Sequence, residues 1–431
     1  MFKKLAPFII CTLGSFFYIY DYFLAVSPSI MTHDLSSTFS LNAGELGTWM
    51  ALFFLASTFF QIPAGVLLDR FGARKLLSLS VLISGLGALL FAISLHPWEL
   101  GLARLLMGIG SPFAFLGALF LASRWFAHKY FALIAGLVQL GAAIGSIIGG
   151  GPLANLVNIL GWRYAMLSIG LFTLVLSILF WVVLRDGEDL KDIQDNYSAQ
   201  EPSLNLHPDL ILNSDPERSL LYVLKHPQII FIALLGFASW VSVTGIGSLW
   251  GIPYLMAVYH WTNTQVGYLY ILFWLGLGLG SPLIGWLSDY LKNRKMPFYI
   301  CFLVGLISAL LFISAPVIPK YLMVLSLFLL GFAASAQSLT FGITKDLVPE
   351  KYFVATSGLI NLTAVLTGLI LQPLMGYLIN LHSDFYNTHA HIYKISDYQI
   401  CFIPIPVIFL LGYLVSLFFL KETKCVNQKI K

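Results

Sequence analysis

The sequence predicts an all-α integral membrane protein with twelve transmembrane helices in two pseudo-symmetric six-helix bundles. Three observations predict it. Of 431 residues, 58% are hydrophobic and only 10% charged, and the mean hydropathy is +0.84. Soluble domains carry about 25% charged residues, so a chain this long cannot cover itself with a polar surface and belongs in a bilayer. Apolar runs long enough to span a bilayer, about 20 residues each, recur along the whole chain. Finally, a short charged stretch returns 220 residues later, at Gly65 and again at Gly285, which points to a duplicated unit.

The predicted helices cover residues 5–31, 43–68, 75–94, 98–122, 131–156, 163–184, 228–258, 264–288, 297–315, 319–344, 353–380 and 399–420. The first run follows two lysines, as a signal peptide would. It continues to Met31 and contains Asp21, so it reads as a retained helix. The segment 185–227 is the one long polar linker, with Asp186, Glu188, Asp189, Asp192 and Asp195 at its start. The expected domains are therefore an N-terminal bundle at 1–184, a cytoplasmic linker at 185–227, a C-terminal bundle at 228–420 and a tail at 421–431.

Orientation follows from the basic residues. With the N-terminus inside, 20 of the 24 Lys and Arg fall in inner segments, 3 in outer loops (Arg163, Lys320, Lys394), and Arg104 inside a helix. Both termini and the linker are expected in the cytoplasm of a bacterium, and the chain in its inner membrane. The outer loop 381–398 is rich in His and Tyr.

The opening stretch of the duplication is Gly65-Val-Leu-Leu-Asp69-Arg70-Phe-Gly72-Ala-Arg74-Lys75, and its weaker copy keeps Gly285, Asp289, Arg294 and Lys295. Gly47 and Gly267 share the same 220-residue offset. Lys129-Tyr-Phe131 recurs as Lys351-Tyr-Phe353, and Gln139 falls on Asn361, both 222 residues on. Parallel repeats of this kind suit a transporter whose halves rock about a site near the bilayer midplane.

Inside the helices Asp21 and Arg104 are the clear ionisable groups. A charge at bilayer depth costs at least about 2.5–3.5 kcal/mol, so it normally faces a cavity or a partner. At 1.5 Å per residue, the two lie about 15 Å and about 9 Å below the outer ends of their helices, near enough to allow contact. Two readings stay open: a carboxylate that takes up a proton and releases the arginine, coupling transport to protons, or a static ion pair bracing two helices. Tyr18 and Tyr22 share a helix face beside Asp21. Helix seven offers Trp240, Ser248 and Trp250, and Gln139, Gln337 and Asn361 add amides, either for a polar solute or for bonds between helices. Glycines at 141, 145 and 149 make a smooth face in helix five, suited to close packing or to sliding.

Other classes are disfavoured. Cys11, Cys301, Cys401 and Cys425 have no metal-ligand spacing, and no metal or other cofactor is expected. An enzyme would need a nucleophile and base at membrane depth, yet no histidine lies in a helix core. No G-x-x-x-x-G-K-[ST] loop is present, so the energy source must be a gradient or a separate partner.

These residues resemble the major facilitator superfamily. Its first loop motif, G-x-L-[AS]-D-[RK]-x-G-[RK]-[RK], is matched by Gly65, Asp69, Arg70, Gly72, Arg74 and Lys75, with Ala73 inserted. The helix-four motif R-x-x-x-G-x-G is matched by Arg104, Gly108 and Gly110. Gly141, Gly145, Gly149 and Gly150 match the helix-five motif, with Ser146 in place of its proline. The run Tyr20 to Met31 is similar to a bacterial branch related to lysosomal dipeptide transporters. The resemblance implies a secondary transporter, not an enzyme, that works by alternating access as a monomer, binds a small solute and has no nucleic-acid partner. The solute classes it leaves open are amino acids, short peptides, sugars and organic acids. Alternatives are a facilitative uniporter of dipeptides and a siderophore or drug transporter; a transport-dead sensor is the alternative from a different class. The loop motif is expected to latch the inner gate, with Asp69 meeting a helix N-terminus.

Overall fold

The computed structural model describes residues 2–125, 128–184, 226–383 and 393–425. The linker and most of the long outer loop lie outside this set. Among the described residues, twelve helices are long and apolar enough to cross a membrane, and they fall where the hydropathy placed them. Helix one is Phe2–Val26, helix two Ala43–Phe71, helix three Ala73–Ile93, helix four Pro97–Trp125, and helix six Trp162–Val183. Helix nine is Lys295–Ile313 and helix eleven Glu350–His382.

Helix one has a continuation, and the remaining helices are broken. Helix one continues after Ser27 as Pro28–Phe39. Helix five divides into His128–Ile148 and Gly151–Leu160 around Gly149 and Gly150. Helix eight is Asn263–Leu269 then Ile271–Leu291, helix ten Lys320–Ala334 then Ala336–Leu347, and helix twelve Ile395–Phe402 then Pro404–Phe418, where Pro404 removes a donor. Helix seven runs Pro227–Ser242, widens to a π-helix over Val243–Trp250, and resumes as Gly251–Tyr259. Single π-helical turns recur at functional sites, and no period in the hydrophobic pattern announces this one.

Packing repeats between the halves. Helix one lies on five as seven lies on eleven; two on four as eight on ten; three on six as nine on twelve. The duplicated sequence therefore builds the same six-helix bundle twice. Between halves, helix two packs on eleven and helix five on eight, which is again one contact made twice.

Two glycines show why the pattern needs them. Gly72 joins helices two and three at φ +80°, ψ 158°, in the region open to glycine, while its N–H still closes helix two on the Leu68 carbonyl. A Cβ at Gly145 would sit 1.9 Å from the Ile19 carbonyl oxygen. Helix five thus presses its backbone onto helix one two residues from Asp21. In this conformation the glycine face of helix five is a packed interface.

Among the described residues, hydrogen bonds that join the two halves gather at one end. The Ala43 N–H reaches Asn380 Oδ1 at 3.2 Å and the Tyr393 hydroxyl at 2.7 Å, and Asn380 Nδ2 donates to Asn42 Oδ1 at 2.7 Å. Asn155 meets Tyr268, Asn158 meets Thr264, and Asn263 donates to the Ile30 carbonyl. Burial pushes the Tyr393 phenol up to about 12, so its hydroxyl stays neutral in this contact. This is the end expected to face outward.

Candidate functional site

A cavity of about 60 Å³ lies between the halves. The N-terminal half contributes Asp21, Tyr22, Phe53, Phe54, Ser57 and Ser111; the C-terminal half contributes Trp240, Thr244, Ser248 and Trp274. Ala25, Val26, Val243 and Val365 complete the wall. Asp21 is 5% exposed and carries the one ionisable carboxylate of the lining. Ser111 Oγ donates to its Oδ2 at 2.9 Å, across from helix four. The Tyr22 ring meets that of Tyr18 edge-on, with centroids 5.0 Å apart.

Arg104 is 1% exposed and does not line the cavity. It forms no ion pair with Asp21. Its Nη1 donates to the Leu24 carbonyl at 2.8 Å, its Nε to the Met50 carbonyl at 3.4 Å, and its guanidinium lies 4.6 Å from the Phe53 ring centre. The reason lies in the chain: residue 28, four after Leu24, is proline and has no N–H to give. The backbone at Ser27 remains right-handed helical (φ −53°, ψ −34°), so the missing donor alone orphans the Leu24 carbonyl. Arg104, with Ser27 Oγ at 3.0 Å, fills that gap. Helices one and four run antiparallel, so Asp21 faces Ser111 and Leu24 faces Arg104. The expected contact gives way to two neighbouring ones.

The other expected residues divide. Tyr22, Trp240 and Ser248 line the cavity. Tyr18 packs behind, on Phe115. Trp250 is 2% exposed and donates to the Gln372 carbonyl at 3.2 Å, bracing helix seven on eleven. Gln337 accepts from Ser239 at 2.8 Å inside the C-terminal bundle, and Asn361 is half-buried away from the cavity. These amides sit at faces turned to neighbouring helices, which residue type alone does not distinguish. The Gln139 side chain lies outside the described set. Sequence reasoning missed Phe53, Phe54, Ser57 and Trp274 entirely. Ser111 was signalled: it stands seven residues after Arg104, two turns along the same face.

The two charged stretches differ in what they hold. Arg74 Nε donates to the Trp181 carbonyl at 2.9 Å and its guanidinium lies 4.9 Å from the Trp181 ring, tying helix three to six within one half. Arg70 lies over the Phe71 ring, Lys75 is exposed, and the Asp69 side chain lies outside the described set. A Cβ at Gly65 or Gly285 would meet nothing within 4 Å. In the second copy Arg294 pairs with Asp289 at 2.7 Å and with Asp346 at 2.9 Å. Burial would lower the Arg294 pKa, but its bond to Asp346 and the surrounding carboxylates leave it raised. The Glu422 carboxylate accepts from the N–H groups of Arg294 and Lys295, each at 2.9 Å, capping helix nine. The described bonds of the weaker copy stay within the C-terminal half.

Residues 11–252 and 232–429 match the Major Facilitator Superfamily, and the chain belongs to it. It is therefore a multi-pass membrane transporter rather than an enzyme, and binds a small-molecule substrate. It is 26% identical over 382 residues to the uncharacterized transporter YybO of Bacillus subtilis, spanning 85% of this chain and 86% of that one. It is 26% identical over 280 residues to a quinolone resistance transporter of Acinetobacter baumannii, spanning 62% and 63% of the two chains. A chloroplastic sodium-dependent phosphate transport protein of Arabidopsis thaliana is 24% identical over 381 residues, spanning 82% of this chain and 70% of that one. Among solved structures, a bacterial homolog of the human lysosomal transporter Spinster, inward-facing and unoccupied, superposes with a TM-score of 0.78 at 16% identity, covering 96% of this chain and 98% of that one. A D-xylose–proton symporter superposes at 0.74 and 16% identity, covering 98% and 99%. At such identity the likeness concerns the fold.

Proposed function

We propose that this chain moves a small polar organic solute across a bacterial inner membrane by alternating access, as a monomer, with protons coupled through Asp21. The observation that carries the reading is the place of Asp21: a nearly buried carboxylate at the meeting of the two halves, in a cavity both halves line. An intramembrane acid in such a position is functional by default. Arg104 acts there as a positioning residue, holding helix one by its orphaned carbonyl.

The bundles are divided by the linker at 185–227. The basic bias places both termini inside. The bonded end is then the outer gate, and the conformation is the inward-facing one, as in the Spinster homolog. The charged stretches at 65–75 and 285–295 lie at the inner end and act on its gate.

Facilitative uniport is the second reading. It is favoured by Arg104 being engaged by carbonyls rather than by Asp21. A solute-uptake panel in membrane vesicles decides between them. Coupled transport predicts accumulation that a protonophore abolishes; uniport predicts equilibration that it leaves unchanged.

A further inference from the structure

We propose that the cavity selects its solute by a protonated amine and rejects free anions, a conclusion that rests on the transporter reading above. Charge is the first argument. Among the described residues the lining holds one carboxylate and no Lys, Arg or His. Arg104 is turned to the Leu24 and Met50 carbonyls, against the ring of Phe53, and Phe53 itself lines the cavity. An anion entering here meets the Asp21 carboxylate with no cation to balance it.

Hydrogen-bond accounting is the second argument, and it is independent of charge. Each serine and threonine hydroxyl of the lining has already spent its proton. Ser57 donates to the Gly108 carbonyl at 3.1 Å, Ser248 to the Thr244 carbonyl at 2.7 Å, Thr244 to the Trp240 carbonyl at 3.2 Å, and Ser111 to Asp21. What these groups can still offer is lone pairs. Among the described residues Asp21 Oδ1 takes no donor, while Oδ2 takes the one from Ser111. The donors that remain in the lining, the indoles of Trp240 and Trp274 and the phenol of Tyr22, are uncharged. A site rich in acceptors and poor in donors fits an ammonium, which has three donors and no acceptor.

The aromatic wall is the third. Tyr22, Phe53, Phe54, Trp240 and Trp274 come from four helices of both halves. Their faces carry the negative end of the ring quadrupole and attract a desolvated cation. An ammonium between Asp21 and these rings would engage both halves at once, as a solute that drives their rocking must.

The test is equilibrium binding of tritiated phenethylamine to the purified full-length protein in lipid nanodiscs. The competitors are benzylamine, phenylacetate, phenethyl alcohol and inorganic phosphate. Saturable binding displaced by benzylamine, and at least about tenfold less readily by phenylacetate or phosphate, is expected. Asp21→Asn should weaken phenethylamine binding at least about tenfold, and Asp21→Glu should retain it, each variant first shown to elute as a single species. Trp240→Leu, which leaves the carboxylate in place, should weaken it severalfold.

Absence of saturable amine binding, equal competition by phenylacetate, or unchanged affinity in Asp21→Asn would each overturn the proposal. Proteoliposomes that transport an acid and no amine would overturn the amine class and leave the transporter reading standing. Saturable amine binding without transport of any solute would do the reverse.

Discussion

The bond between Arg104 and the Leu24 carbonyl makes a prediction that separates two roles for the arginine. If Arg104 is held in place chiefly because Pro28 has no N–H, then supplying that N–H should make the arginine partly dispensable. Pro28→Ala supplies it, in a backbone already right-handed helical at Ser27. Arg104→Met keeps much of the side-chain volume and removes the donors. In the natural background it loses a hydrogen bond from a charged group, worth about 1.5–3 kcal/mol, and a contact with the Phe53 ring worth about 0.5–2 kcal/mol. A cost of about 3 kcal/mol follows. In the Pro28→Ala background the Leu24 carbonyl gains its backbone donor beside Ser27 Oγ, so the cost should fall by about 1.5 kcal/mol, the share of the carbonyl bond. The assay is a double-mutant cycle by reversible unfolding in mixed micelles. Additivity within about 0.5 kcal/mol would refute the reasoning. A coupling of Arg104→Met with Asp21→Asn in its place would restore the ion pair that the sequence suggested.

Two further outcomes follow from the packing. Gly145→Val places a branched side chain where even a Cβ would meet the Ile19 carbonyl oxygen at 1.9 Å; it should separate helices one and five and reduce folded yield severely, read by fluorescence-detected size exclusion. Tyr393→Phe removes the acceptor that holds the Ala43 N–H. With a net hydrogen bond worth about 1 kcal/mol, it should shift the balance away from this conformation about fivefold, read as greater accessibility to a thiol reagent of a cysteine placed at Asn42.

The sequence carried the architecture almost whole, because length and hydropathy determine which segments enter a bilayer and the repeat determines how the halves correspond. It carried the site unevenly. Asp21 stood out because a carboxylate in an apolar helix needs a reason. Its neighbours did not, because Phe53, Phe54 and Trp274 look like any other apolar residue until the halves are assembled around the cavity. Trp250, Gln337 and Asn361 were indistinguishable by type from Trp240 and Ser248. The π-helical turn of helix seven and its packing on helix eleven set which way Ser248 and Trp250 face. The role of Arg104 was legible in principle, from a proline four residues after Leu24, but only with its partner helix in register. The charged stretch at 65–75 reads as a gate latch with a weaker partner at 285–295. The bonds of the second depend on Asp346 and Glu422, far along the chain, which no local motif could supply.

The most direct test of the account is solute accumulation in proteoliposomes under an imposed pH gradient, comparing the natural chain with Asp21→Asn. The account predicts uphill accumulation by the natural chain, and none by Asp21→Asn, while the variant still exchanges solute across the membrane at equal pH. Accumulation by Asp21→Asn equal to that of the natural chain would contradict it.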